Sequence, residues 1–401
     1  MKTEIIKADL SRAAEIIKRG GLVAVPTETV YGLSANGLDE RAVRDIYEVK
    51  GRPAVKPLSL MVEGKSAMRE YCENIPPQAE LLADKLWPGP LTIVLKAKSI
   101  VPDIVRAGGE TVGLRCPDHD LTLQALNLAK LPFAAPSANP SGEESPKTAQ
   151  KVLEYFNGKI DAVIDGGECG IGRESTLIDM SQTPYKLLRL GALSEDEIAD
   201  ALISGMKIIG ITGGTGSGKT TALDTLADMG ALTIDCDALY HELLNSDKAL
   251  IAAIEEAFPG TAEGGKVDTK RLGAVVFAEP AALEKLNAIT RGFILAELTR
   301  RLRRHAMNGG TLAAIDAIEL HSAGVGKLCT ATVAVTADSE TRIQRICARD
   351  KITREYAKLR LDAQHEDEYY YSNCDYVLKN NGTQAAFAAE CKKLFTEVLG
   401  K

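Results

Sequence analysis

No CxxC pair occurs anywhere in the chain. Its eight cysteines, at 72, 116, 169, 236, 329, 347, 374 and 391, are scattered. Only five histidines are present, and none stands at zinc-ligand spacing from a cysteine pair. A zinc module and a disulfide framework are therefore excluded as organising features, and the thiols read as reduced, as a reducing compartment keeps them. No stretch approaches the ~20 apolar residues of a membrane-spanning helix. The opening segment 1–7 is too short and too interrupted by charge for a signal peptide. The expectation is a cytoplasmic protein with no membrane partner. An excess of positive charge is missing too: 48 Lys and Arg against 55 Asp and Glu leave −7 at neutral pH. A protein that coats nucleic acid without sequence preference is usually basic, so any phosphate-binding surface here has to be local. Repeats and low-complexity tracts are absent.

What the chain does have is length and ordinary composition. Its 401 residues, 45% hydrophobic and 26% charged, suit a folded protein of two domains, at roughly 150–200 residues each. Segment 191–205 reads as one short helix capped by Ser194 and stopped by Gly205. Directly after it, Lys207–Thr212 is a short β-branched run leading into a glycine-rich loop. These signals predict abutting domains over 1–203 and 206–401, with no long linker. In the first, a helix over 11–19 precedes a buried strand at 22–25, and a second helix covers 41–49. Further short strands at 91–95, 111–114, 162–164 and 176–178 predict a mixed sheet whose loops build a pocket. In the second, strand-then-helix units predict an α/β fold with a parallel sheet and helices on both faces.

Gly213-Gly214-Thr215-Gly216-Ser217-Gly218-Lys219-Thr220, followed by Thr221, fits GxxxxGK[ST] between a predicted strand and a helix beginning near Lys219. Such a loop turns backbone N–H groups onto phosphates, and the helix N-terminus adds positive potential. Lys219 is expected to reach the β- and γ-phosphates of ATP, and the Thr220 hydroxyl to complete a Mg2+ shell. A DxxG switch and an NKxD motif are both missing, so a GTPase is disfavoured; Asn380-Asn381-Gly382 is only a faint echo of the latter. Asp235 and Asp237 read as the end of a second strand, where i and i+2 side chains face the same way. One carboxylate there could orient or deprotonate an attacking hydroxyl. Arg342, Arg345 and Arg349 recur at helical spacing, with Arg354, Arg360 and Gln364 beyond them, as a charge-neutralising lid would need.

The segments 212–221, 234–238, 345–350 and 380–382 together resemble dephospho-coenzyme A kinase, and the similarity spans 206–401. The resemblance implies ATP-dependent phosphorylation of the ribose 3′-hydroxyl of dephospho-CoA. It implies that Asp237, with Asp235 beside it, meets the acceptor, and that Arg345 and Arg349 are lid cations. Two segments depart from the family: its common His-Pro reads Arg291-Gly292 here, and its Pro-Leu-Leu-Phe-Glu-like segment reads Ala317-Ile-Glu-Leu-His321. Both fall where the acceptor would lie.

In the first half, Pro26-Thr27-Glu-Thr-Val-Tyr-Gly-Leu33 follows a strand directly. Lys50-x-Arg52 closes a helix, and Thr111, Arg115, Ser137-x-Asn139, Ser175 and Arg189 follow. The set combines cations with hydroxyls and an amide, without a carboxylate pair or a nucleophile–histidine arrangement. It suits holding charged substrates in register rather than covalent catalysis, and Arg115 and Arg189 could grip a carboxylate or phosphate in two-pronged fashion.

PTETVYGL, KxR and SxN in this order resemble the YrdC-like threonylcarbamoyl-AMP synthases, over roughly 5–195. The resemblance implies a twisted sheet around a positive cavity in which L-threonine, bicarbonate and ATP become threonylcarbamoyl-adenylate and pyrophosphate. That product feeds the threonylcarbamoyl-transfer proteins that modify tRNA. It further implies Thr27, Ser59, Arg115 and Ser175 at threonine, and Lys50, Arg52, Thr111, Ser137, Asn139 and Arg189 around ATP. The whole chain then reads as a fusion of the two enzymes. The alternative is an RNA-binding module, in direct contact with tRNA, fused to a P-loop kinase of another small metabolite.

Overall fold

A computed structural model describes residues 2–400. The chain divides into two compact units, one formed by Met1–Gly205 with Met307–Gly309 and the other by Met206–Ala306 with Gly310–Lys401. Ser194 begins the last helix of the first unit, Glu195–Ile203, through a capping box with Glu197. Its hydroxyl satisfies the Glu197 N–H while the Glu197 carboxylate takes the Ser194 N–H.

The first unit is built on one mixed sheet of eleven strands. They are β1 (Glu4–Ile6), β2 (Val23–Val25), β3 (Gly32–Asn36), β4 (Ser59–Met61), β5 (Cys72–Glu73), β6 (Leu91–Ala97), β7 (Thr111–Arg115), β8 (Phe133–Ala134), β9 (Ala162–Ile164), β10 (Thr176–Asp179) and β11 (Lys186–Arg189). Their spatial order is β1-β9-β2-β3-β8-β4-β7-β6-β10-β11, with β5 on the side of β6. Short strands of Val, Ile and Ala, buried along their length, form one side of it, as β2 and β9 show. The helix Leu10–Lys18 packs Ala13, Ile16 and Ile17 against that apolar surface. Helix Glu40–Lys50 ends at Gly51, which takes φ +57°, a turn that delivers Arg52 beside Lys50.

The second unit has a five-stranded, wholly parallel sheet. Its strands are β12 (Lys207–Thr212), β13 (Leu232–Asp235), β16 (Leu312–Asp316), β17 (Ala331–Thr336) and β18 (Tyr376–Lys379), with the small hairpin β14 (Ala262–Glu263) and β15 (Lys266–Val267) apart from it. The order β13-β16-β12-β17-β18 places β12 centrally. Strands buried on both faces read as continuous apolar runs, and β17, Ala-Thr-Val-Ala-Val-Thr, is buried at every position. Helices Lys219–Asp228 and Gln384–Gly400 cover this core through Ala222, Leu226, Phe387 and Phe395. The ends of β12, β13 and β16 therefore meet at one rim, where ligands of open parallel sheets bind. Among the described residues no helix is long and apolar enough to cross a membrane, and all eight cysteines are free thiols.

Candidate functional site

The glycine-rich loop leaves β12 and ends at the helix that begins with Lys219. Gly218 holds φ +104°, and a Cβ there would stand 2.1 Å from Nδ2 of Asn380. Only glycine lets that amide close in, and Asn380 donates to the Ser217 carbonyl at 2.8 Å. The echo of a base-reading motif is thus a strut beneath the loop. Lys219 folds over the loop, its Nζ donating to the Gly213 carbonyl at 3.0 Å. Thr220 is exposed and Thr221 half-buried in the first helical turn.

Arg342 is the most deeply placed of the three helical arginines, 5% exposed. Its Nε donates to the Thr215 carbonyl at 3.0 Å, and its Nη2 to Gln364 Oε1 at 3.0 Å. Gly214 accommodates it, since a Cβ there would fall 1.9 Å from Nη2. Arg345 reaches the Gly216 and Ser217 carbonyls at 3.4 Å and the Asn380 side-chain oxygen at 3.1 Å. Arg349 does not reach the loop: its Nε and Nη2 donate to both oxygens of Asp350 at 2.7 and 3.1 Å. Helical spacing alone grouped the three, but seven residues carry Arg349 about two turns, ~10 Å, along the helix from Arg342, where it pairs with Asp350 instead.

The reading of Asp235 and Asp237 as strand neighbours needs correction. β13 ends at Asp235, which becomes an N-cap, its Oδ1 accepting from the Asp237 and Ala238 N–H groups at 2.9 and 3.0 Å. The chain is helical from Cys236, so the two carboxylates are related by a capping turn. Asp237 lines a largely apolar cavity of about 380 Å³ together with Tyr240, His241, Arg291 and Glu319. Solvent reaches its carboxyl, yet desolvation and then Asp235 hold it above the ordinary carboxylate value, with Lys219 opposing.

Asp316 is the residue that pattern reading missed. It ends β16, opposite Ile211 of β12 and Asp235 of β13. Burial pushes its carboxyl up to about 7, against the pull of Lys219. Its Oδ1 is buried without a hydrogen-bond partner. An apolar strand ending in Asp beside the P-loop strand was the available signal. That orphaned oxygen fits Mg2+, which takes one or two protein oxygens plus phosphates. Among the described residues no group of three or more His, Cys, Asp or Glu could hold a metal.

In the first unit a smaller, polar cavity of about 150 Å³ opens over the middle of the sheet. Arg52, Ser59, Arg115, Ser137, Ser175 and Arg189 all line it, delivered by β4, β7, β11 and the segments beside β8 and β10. Close approach of β7 to β4 and β6 is set by Gly113, where a Cβ would meet Ser59 Oγ at 2.8 Å. Thr27, Lys50, Thr111 and Asn139 are not among its lining residues. Thr27 is spent in its own turn: its hydroxyl donates to the Val30 carbonyl at 2.6 Å and stands 2.8 Å from that of Thr29. Thr111 begins β7 at the end away from Arg115, paired with Lys96. Lys50 is buried, and its amine donates to the Ser137 and Asn139 carbonyls, holding the SxN turn. Burial, then the Arg52 charge, push that amine down to about 7, with Glu174 opposing. Asn139 pins the same turn by donating to Pro140 and Glu143 carbonyls.

Two of the pocket's three arginines already carry a carboxylate, while Arg52 donates to the Lys56 and Pro57 carbonyls. Arg115 lies 2.8 Å from Glu28 and donates to Thr29 Oγ1 at 2.8 Å. Arg189 pairs with Glu174 and donates to the Ser175 carbonyl and hydroxyl. Neither glutamate was marked as a partner in the sequence, because both pairings depend on sheet geometry.

Comparison with known proteins now separates the halves. The Sua5_yciO_yrdC family model, described as telomere recombination, matches residues 15–191. The threonylcarbamoyl-AMP synthase of Pyrococcus abyssi is 50% identical over 186 residues, covering 46% of this chain and 55% of that one. The Bacillus subtilis threonylcarbamoyl-AMP synthase is 42% identical over 193 residues, covering 47% and 55%. A putative threonylcarbamoyl-AMP synthase of Methanocaldococcus jannaschii is 36% identical over 200 residues, covering 49% of this chain and 94% of that one. The first half belongs to the Sua5/YciO/YrdC family. The chain spans about half the length of the first two relatives, 55% of each. Residues 207–386 match the CoaE model, described as dephospho-CoA kinase. The first matched segment falls within one compact unit, and the second within the other apart from Met307–Gly309. The family match does not favour the RNA-binding alternative.

Proposed function

We propose that the chain is a bifunctional enzyme. Its first half forms L-threonylcarbamoyladenylate from L-threonine, bicarbonate and ATP, for the threonylcarbamoyl modification of tRNA. Its second half transfers the γ-phosphoryl group of ATP to the 3′-hydroxyl of dephospho-CoA. The observation that carries this reading is that each matched segment holds its own anion site, the arginine-lined cavity in the first and the glycine-rich loop in the second.

In the first site the threonine amine and bicarbonate give a carbamate and water, and the carbamate oxygen attacks the α-phosphorus of ATP and expels pyrophosphate. Arg115 takes the threonine carboxylate, because a guanidinium has five donors and Glu28 and Thr29 use only part of them. Arg52 and Arg189 face the phosphates, while Lys50 and Asn139 act one step back by fixing the turn that carries Ser137. The protein supplies alignment of reactive groups.

In the second site Lys219 leaves the Gly213 carbonyl for the β- and γ-phosphates. Thr220 and Asp316 would hold Mg2+, which when bound would supply charge neutralisation at the phosphates. Asp237 receives the proton of the acceptor hydroxyl as its oxygen bonds to the γ-phosphorus, a role suited to a carboxyl held above its ordinary value. Arg345 stays on the loop to meet the transferred charge. The acceptor's long arm lies in the apolar cavity beside Asp237.

The test follows two products from one purified chain. Pyrophosphate release is expected to require both L-threonine and bicarbonate, and ADP release to require dephospho-CoA. Pyrophosphate release that persists without threonine overturns the first assignment, and ADP release indifferent to dephospho-CoA overturns the second.

A further inference from the structure

Between the phosphate loop and the acceptor cavity lies a dipeptide that the catalytic account leaves unused. Gln364 follows the helix Arg354–Asp362. Its Oε1 accepts from the Thr215 backbone N–H at 2.9 Å, and its Nε2 donates to Thr215 Oγ1 at 2.7 Å. Arg342 completes the clamp, giving Nη2 to the same Gln364 oxygen and Nε to the Thr215 carbonyl. One residue of the loop, Thr215, is thus held at its N–H, its carbonyl and its hydroxyl.

The next residue looks the other way. His365 Nε2 stands 3.4 Å from Glu319 Oε1, and its ring stacks on Tyr369 at 4.0 Å between centroids. Glu319 is one of the few charged residues lining the 380 Å³ cavity that contains Asp237. It also lines a second cavity, of about 220 Å³, with Gln364, His365 and Tyr370. The Tyr370 hydroxyl is buried there without a partner, and the cavity itself leaves the dipeptide room to shift.

We propose that Gln364 is a positioning residue for the phosphate loop, and that His365 ties it to Glu319 so that acceptor occupancy tightens nucleotide binding. The chain of contacts is continuous: acceptor cavity, Glu319, His365, Gln364, Thr215. An occupant that fixes the Glu319 carboxylate orders His365 and Gln364 once, and the second ligand then meets an already ordered loop. Such coupling is reciprocal, so ATP must tighten the acceptor by the same factor. This inference rests on the kinase reading for the identity of the acceptor alone.

Two arms test it on the full chain, using calorimetric titration with a non-hydrolysable ATP analogue. The first arm needs no acceptor. Gln364→Met, which keeps length but removes both hydrogen bonds to Thr215 and the one from Arg342, is expected to weaken analogue binding about fivefold, in line with the modest net worth of such hydrogen bonds. Glu319→Gln and Gln364→Met together are expected to be non-additive by about threefold or more, the mark of residues in one network. Strict additivity overturns the proposal whatever the acceptor proves to be. In the second arm, saturating dephospho-CoA is expected to tighten the analogue about fivefold in the parent chain. His365→Ala abolishes that gain and His365→Gln, which keeps a polar group within reach of Glu319, restores it. A gain unchanged in His365→Ala overturns the proposal. Refusal of dephospho-CoA by the parent chain counts against the kinase reading instead, and leaves the first arm to decide this one. Circular dichroism of each variant, matching the parent, keeps misfolding from imitating either result.

Discussion

The two sites of this chain handle similar anions with opposite constructions. In the second unit the anion site is one continuous loop between a strand and a helix, braced from behind by Arg342, Gln364, Asn380 and Arg345. In the first it is a patch on the sheet, assembled from β4, β7, β11 and turns far apart in sequence, with Arg115 and Arg189 already paired to glutamates. A loop site draws on backbone N–H groups and tolerates change in the side chains around it. A sheet site draws on side chains, so its charge balance is also part of its stability. Mutations should therefore separate along this line: charge removal destabilises the first unit and slows the second.

The largest expected effect is on stability. The Arg115 and Glu28 side chains are only 8% and 13% exposed. Arg115→Ala leaves Glu28 as a buried charge without its cation, and such breaks cost about 3–5 kcal/mol. Denaturant melts of the first unit are expected to show that loss. Arg189 and Glu174 are 41% and 36% exposed, and Arg189→Ala should cost no more than about 1 kcal/mol. Equal losses would remove the distinction between the two pairs.

Next come two substitutions in the second unit that leave folding alone. Lys219→Met removes a cation from the γ-phosphate, and ADP release should fall by about 3–4 kcal/mol of barrier, a few hundred-fold. Asp237→Asn should cut turnover about a hundredfold while ATP-analogue affinity stays within about twofold. Threonine-dependent pyrophosphate release is the internal control for both. Weakened nucleotide binding in Asp237→Asn would move that carboxylate from the acceptor to the metal.

Asp316 links the chemistry of the loop to its stability. Its folded-state carboxyl is raised from 3.8 to about 7. Between those values the folded chain holds a proton that the unfolded chain has released, so stability falls as pH rises through this window. Asp316→Asn, which never ionises, is expected to melt at a higher temperature than the parent, by more at pH 8 than at pH 5. The same variant should lose phosphoryl transfer about a hundredfold, because the ionised form is what magnesium needs. A melting difference independent of pH would show that Asp316 is already ionised in the folded protein.

The contrast between the units also explains what was legible in advance. Strand β12, the loop and the helix start at Lys219 were readable because one contiguous stretch encodes all three. The mixed sheet was readable as a class, but its pairing order was not, since strands of two to seven residues carry little register information. Residue types gave Arg115 and Arg189 but not Glu28 and Glu174, which meet them through sheet register and through the turn before β10. Asp235 and Asp237 were seen, and their relation misjudged, because a strand end and an N-cap share the same sequence. Asp316 escaped because a single Asp after an apolar run is unremarkable until β16 is known to lie beside β12.

The smallest expected effect tests how far periodicity can be trusted as a guide to chemistry. Arg345 and Arg349 lie one helical turn apart, and both look like cations for a transferred phosphoryl group. Arg345 is on the loop, within 3.4 Å of the Gly216 and Ser217 carbonyls and 3.1 Å of Asn380. Arg349 is 60% exposed and held by Asp350, which also takes Arg360 at 2.6 Å. A guanidinium already bound to a carboxylate must give up that partner before it can serve a phosphate, and in water the exchange brings little gain. Arg345→Ala is therefore expected to lower phosphoryl transfer about tenfold, and Arg349→Ala by less than about threefold, in ADP-release assays at saturating ATP. If Arg349→Ala instead matches or exceeds Arg345→Ala, the helix Ser339–Asp350 must move far enough in turnover to break the Asp350 pair. Freeing Arg349 by Asp350→Asn would then raise the rate rather than leave it unchanged.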